Sequence, residues 1–215
     1  RPVFASVAAL STREAERQAR EAADLGCRGL MVLPPYVYRG RWEETRAHYG
    51  AVLDATPLSC MAYNNPIAYG TDLLPEHLAD LAGRHANLHA VKESSADVRR
   101  LTAIRATLGQ RLALLVGVDD LIVEGVSAGA TGWIAGLVNA LPIESVRLFD
   151  LATRAAGCAA GAASTAERDE LRRLYAWFLP LLRLDVVPEF VHLIKLAQEM
   201  AGMGSARVRP PRLPL

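Results

Sequence analysis

From Pro2 to Asn139 the chain alternates short unbroken apolar runs with longer stretches whose apolar residues recur every three or four positions. Runs of the first kind suit strands buried on both faces, and stretches of the second kind suit helices with one apolar stripe. The pattern predicts strands at Pro2–Val7, Gly29–Leu33, Ser59–Tyr63, Leu88–Val91, Leu112–Val116 and Gly132–Ala135. Helices are expected between them. The first follows Ser11-Thr-Arg-Glu14, which has the form of a capping box, and carries its stripe on Ala15, Ala19, Ala22, Ala23 and Leu25 before Gly26 stops it. Others are expected at Trp42–Leu53, Pro75–Leu81, Val98–Leu108 and Leu121–Ala128. Beyond Asn139 the texture is helical only, with segments at Ile143–Ala155, Glu167–Leu182 and Val187–Met200. The Ala/Gly/Ser stretch Ala155–Thr165 is the one expected flexible loop.

Strands alternating with helices imply an α/β architecture with a parallel sheet. An open doubly wound sheet and a barrel both satisfy that alternation. The sequence has neither the glycine fingerprint for dinucleotides nor a P-loop. Polar groups recur where strands end, at Tyr36, Tyr63, Lys92 and Asp119-Asp120, and that rim is the active face of a (β/α)8 barrel. The count is six units rather than eight, in a chain shorter than the roughly 250 residues a closed barrel typically takes. The expected division is a partial barrel over 1–140 and, over 141–215, helices that complete and extend it.

Composition narrows the function classes. A formal net charge of +1, without a cluster of Lys and Arg, argues against nucleic acid as a partner. No apolar run reaches membrane-spanning length and no leader pattern opens the chain, so no membrane partner is expected and a cytoplasmic location is. Cys27, Cys60 and Cys158 are odd in number and lack a C-x-x-C pair, which suits reduced thiols better than disulfides or a metal site.

One residue type is used so sparingly that its position carries weight. Of 24 Lys plus Arg, only Lys92 and Lys195 are lysines. Arginine does not lose its proton in a protein, whereas lysine can, and only a neutral amine attacks a carbonyl. Lys92 closes an apolar strand and is the candidate Schiff-base former; taken alone, without the flanking motifs, it reads first as a lysine snorkelling from a strand edge. Lys195 sits in helical periodicity and reads as a snorkelling helix residue. Asp119 and Asp120 read as N-cap and loop residues rather than catalysts. Glu93 reads as a structural hydrogen-bonding group.

Four collinear motifs sharpen this picture. Tyr63-Asn-Asn-Pro66, Val91-Lys-Glu-Ser94, Gly117-Val-Asp-Asp120 and Gly132-Trp-Ile-Ala135 followed by Asn139 resemble, in order and spacing, the dihydrodipicolinate synthase/N-acetylneuraminate lyase superfamily. These are class I, Schiff-base-forming lyases on a TIM barrel with additional C-terminal helices. The resemblance implies that strands three to eight of a (β/α)8 barrel are present, followed by a C-terminal helical extension, and that the first two units are missing from this sequence.

It also implies roles for particular residues. Lys92 would form the imine with pyruvate or a longer 2-keto acid, and Tyr63 would shuttle protons. Tyr36 would reach into a neighbouring subunit's site, although Pro35 stands where a second family tyrosine is common and Tyr38 competes for the role. Ile134, through its carbonyl, with Asn65, Ala68 and Gly117, would line the substrate pocket. Ala68 occupies the place of an arginine that binds the aldehyde's carboxylate in true dihydrodipicolinate synthases. The expected activity is therefore aldol cleavage or condensation, dehydration or deamination. The alternatives are the synthase proper and a 2-keto-acid-binding homologue without catalysis. No metal or organic cofactor is implied, and a homodimer or homotetramer is.

Overall fold

The computed structural model describes residues 1–157 and 163–215. Its six strands follow one another in a single sheet, β1 (Phe4–Val7), β2 (Gly29–Val32), β3 (Ser59–Asn64), β4 (Leu88–Glu93), β5 (Ala113–Val116) and β6 (Gly132–Trp133). Pairing from β1 through β4 is parallel. By contact the chain forms two compact units, Arg1–Leu115 and Val116–Leu215.

In the first unit, helices α1 (Thr12–Asp24), α2 (Trp42–Asp54), α3 (Pro66–Tyr69), α4 (Pro75–Arg84) and α5 (Arg99–Leu108) connect the strands. The alternation seen in the sequence is resolved into a core of Leu30, Val32, Ala62, Leu88 and Val91 from the strands. Ala15 and Ala19 of α1, Tyr49 and Val52 of α2 and Leu78 and Leu81 of α4 complete it. Each fully buried leucine or valine contributes about 1.5–3 kcal/mol, which is how short strands of four to six residues hold. The alanine stripe of α1 presents little side-chain bulk toward the sheet.

The second unit contains β6, α6 (Ile122–Ser127), α7 (Pro142–Ala155), α8 (Thr165–Leu182) and α9 (Phe190–Met200). Its core includes Ile122, Val126, Leu137, Leu148, Leu151, Phe178 and Leu182. Tyr175 of α8 donates to the carbonyl of Asp120 and to the Glu124 carboxylate at 2.6 and 2.8 Å, fastening α8 beside α6.

Most predicted elements are present within one or two residues, and the differences have physical causes. Ser11 does cap α1, accepting from Glu14 N, but Glu14 does not reach back: its carboxylate turns to Arg17 one turn on. The last helix begins at Phe190, not Val187, because Pro188 holds Val187 extended (φ −114°, ψ 156°) and the preceding segment Arg183–Val186 is a separate 3-10 turn. A one-turn helix, Pro66–Tyr69, follows β3 where the sequence pattern predicts no element. Asp119 is not a simple N-cap. Its buried carboxylate accepts from Trp133 Nε1, Gly136 N and Leu137 N at 2.8–3.1 Å, organising the turn after β6. Asp120 instead lies 3.6 Å from Arg183. Cys27 and Cys60 are free thiols; Cys158 and the middle of the expected Ala155–Thr165 loop lie outside the described residues.

Candidate active site

The ends of β3 and β4 set the site. Between Cys60 and Met61 the pairing with β4 slips by one residue, a β-bulge. Without that slip Tyr63 would stand opposite Val91; with it, Tyr63 pairs with Lys92 and Asn64 with Glu93. Because side chains alternate along a strand, this register decides which groups share a face.

On one side of the strand ends lies a buried polar network. Asn64, fully buried, donates through Nδ2 to Glu93 Oε2 (2.9 Å) and to Asp72 Oδ1 (3.2 Å), and its Oδ1 accepts from Leu73 N (2.8 Å). Glu93 Oε1 accepts from Ser95 N at 2.7 Å. Asp72 holds Arg100 through two parallel bonds of 2.8 and 3.0 Å. Burial pushes the Glu93 carboxyl above its ordinary range against the pull of these donors. Burial also pushes Asp72 upward, but the bonds from Arg100 and Asn64 prevail and hold it below the ordinary range. Glu93 is thus a structural hydrogen-bonding group, as its place in the sequence predicts.

On the other side the Lys92 amine, only 9% exposed as a residue, sits 4.2 Å over the centre of the Tyr63 ring. The Tyr63 hydroxyl accepts from Asn65 Nδ2 (3.0 Å), and the same Asn65 caps α3 by accepting from Ala68 N (3.0 Å). The backbone of Tyr63 is anchored from below, where the buried Tyr49 hydroxyl donates to the carbonyls of Val32 and Tyr63 at 3.3 Å. Two residues beyond Lys92, the Ser94 hydroxyl is buried without a protein partner.

The short helix α3 adds Tyr69, which the sequence places beside Ala68 on the second-substrate side. Pro66 supplies a preset first turn, Gly70 ends the helix at φ 72°, and Tyr69 is delivered edge-on to Tyr63 at 5.7 Å between ring centres. Tyr36 lies 6.0 Å from Tyr69 on its other side. Burial, then the Tyr63 and Tyr36 phenols, raise the Tyr69 hydroxyl above its usual range. The structure therefore brings together Lys92, Tyr63, Tyr36 and Asn65, with Ala68 exposed on α3. Gly117 and Ile134 belong to the second unit, where Ile134 N donates to Val116 O at 2.9 Å. Among the described residues no group of His, Cys, Asp and Glu could hold a metal ion, and no helix is long and apolar enough to cross a membrane.

Known proteins share this fold. The chain superposes with TM-score 0.88 on the 4-hydroxy-tetrahydrodipicolinate synthase of Methylacidiphilum fumariolicum, at 27% identity, covering 100% of this chain and 68% of that one. On the chloride-inhibited dihydrodipicolinate synthase of Acinetobacter baumannii, a complex with pyruvate, the score is 0.87 at 26% identity, over 100% and 69% of the two chains. Over 214 residues it is 30% identical to the 4-hydroxy-tetrahydrodipicolinate synthase of Citrifermentans bemidjiense, covering all of this chain and 70% of the relative. The Geotalea daltonii enzyme of the same name is 31% identical over 222 residues, with the same coverage. Fold and relatives define a class I, aldolase-type lyase that works through a lysine Schiff base. Residues 1–215 match the dihydrodipicolinate synthetase family throughout, and the chain belongs to that family.

Proposed function

We propose that this lyase acts on pyruvate or a longer 2-keto acid, with Lys92 as the amine that forms the imine. The observation that carries the reading is the buried amine at the end of β4, set over the ring of its cross-strand partner Tyr63. In this scheme Lys92 Nζ attacks C2 of the keto acid. The Tyr63 hydroxyl gives a proton to the carbinolamine oxygen, which leaves as water. The imine then draws electrons from C3, whose proton passes to the Tyr63 oxygen, giving an enamine. That carbon condenses with an aldehyde in the synthetic direction. In reverse, the imine of a longer 2-keto acid breaks its C3–C4 bond, releasing an aldehyde and leaving the enamine; with a leaving group on the carbon next to C3, the enamine instead expels water or an amine.

Asn65 fixes the hydroxyl of Tyr63 for that transfer. Ala68 borders the second-substrate side. Tyr36 completes a neighbouring subunit's site in a homodimer or homotetramer. The six strands read as the third to eighth of a (β/α)8 barrel, a reading supported by relatives whose remaining length lies outside the match. The scheme needs no metal or organic cofactor, and a cytoplasmic location goes with it.

The shared name of the relatives supports a second reading, the synthase proper. Ala68 weighs against it unless another residue supplies the cation, since alanine offers a carboxylate nothing. The deciding experiment is pyruvate plus borohydride followed by peptide mapping. A reduced pyruvyl group on Lys92 is expected; an adduct on another residue, or none, would overturn the assignment.

A further inference from the structure

Two loops border the tyrosine cluster, residues 34–40 after β2 and residues 63–72 around α3. Their only charged side chains are Arg39 and Asp72. Asp72 is consumed by Arg100 and Asn64. Arg39 is exposed, and no described carboxylate or carbonyl accepts from any of its five N–H donors. A Cβ on Gly70 would lie 2.6 Å from Arg39 Nε and 3.3 Å from its Cγ and Cζ, so the side chain lies directly on the residue that ends α3. Thr71 Oγ1 donates to Pro35 O at 3.2 Å and binds the two loops together. Tyr69, next to Gly70, links this position through ring contacts to Tyr63 and so to Lys92.

We infer that Arg39 is the specificity residue of this site, taking a distal carboxylate on the partner aldehyde or on the far end of a longer 2-keto acid. An arginine laid against backbone, with its donors uncommitted, offers a fork that matches a carboxylate in two parallel bonds. The ligand is then a substrate with a second anionic group beyond its reacting carbons, reached past the Tyr63–Tyr69 pair. The inference rests on the lyase reading above for the position of the first substrate, and it supplies from the β2–α2 loop the cation that position 68 lacks.

The test uses the full chain after pyruvate and borohydride, so that Lys92 is blocked and nothing turns over. It is titrated with butyrate, with its uncharged isostere butyramide, and with propyl phosphate, followed by ligand-observed NMR. Butyrate should bind about tenfold more tightly than butyramide. Arg39→Ala should bring butyrate down to the butyramide level while leaving butyramide unchanged, and Arg39→Lys should restore part of the difference. Equal binding of butyrate and butyramide by the wild type, or an unchanged preference in Arg39→Ala, overturns the inference. Propyl phosphate binding more tightly than butyrate overturns the choice of carboxylate in favour of a phosphorylated substrate. If pyruvate leaves no adduct, the lyase reading fails by itself, and the same titration of the untreated chain still decides the role of Arg39.

Discussion

Glu93 and Asp119 are both carboxylates buried just where a strand gives way to a loop, and burial pushes both toward the protonated form. What surrounds them differs. Glu93 is held by the Asn64 side chain and Ser95 N, with Arg100 adding positive charge nearby. Asp119 is held by two backbone N–H groups and the Trp133 indole, and its charged neighbour is Asp185, which raises it further, to about 6. A buried acid is therefore not a marker of catalysis in this molecule. The first acid braces the strand ends that carry the proposed chemistry, and the second shapes a turn in the other unit. The residue assigned the reaction is the lysine beside Glu93, on the opposite face of the same strand.

Substitutions can break that contrast. The largest effect is expected from Lys92→Ala: pyruvate trapping is abolished and turnover falls by at least about a thousandfold, while circular dichroism stays that of the wild type. Trapping that persists at another site would remove β4 from the chemistry. Tyr63→Phe should lower kcat by about 10²–10³ yet still give an adduct, slowly, since the amine remains. Full turnover by that variant would move the proton transfer elsewhere.

Asn64→Ala leaves the Leu73 N–H and one oxygen of Glu93 unpaired in the interior and should cost about 2–4 kcal/mol, read as a lower Tm. No shift in Tm would mean that the network is not bracing the strand ends.

Asp119 gives a smaller effect, visible in its pH dependence. Its carboxyl is raised from an ordinary 3.8 to about 6, so the folded chain holds that proton more tightly than the unfolded chain does. Its contribution to stability is best below pH 3.8, falls as pH rises to about 6, and is level above that. Asp119→Asn, which cannot titrate, should be less stable overall but should lack this fall. Parallel Tm–pH curves between pH 4 and 6 would contradict the assignment.

The smallest effect is expected at Ala96, just past the β4 end, which adopts φ 62°, a conformation costly for any residue with a Cβ. Ala96→Gly should stabilise by about 0.5–1 kcal/mol, measured by urea unfolding, the relief of strain exceeding the added chain entropy.

The alternation of buried strands and striped helices was legible in the sequence because burial periodicity is local, and so were Lys92 as the rare lysine on a strand end and Tyr63 one strand earlier. Cap and helix-start errors at Glu14 and Val187 were small, each a choice between local partners that only neighbouring geometry settles. Less legible was everything that depends on how strands and loops meet. The one-residue bulge that sets Tyr63 opposite Lys92, the one-turn helix that delivers Tyr69, and the seating of Arg39 on Gly70 join residues up to 31 positions apart. No repeat or propensity along the chain encodes such meetings. The sequence by itself determined which residues could bear charge, lose a proton or enter a core. Only the tertiary structure decided which of them face one another, because register and loop seating are settled by packing between segments rather than within them.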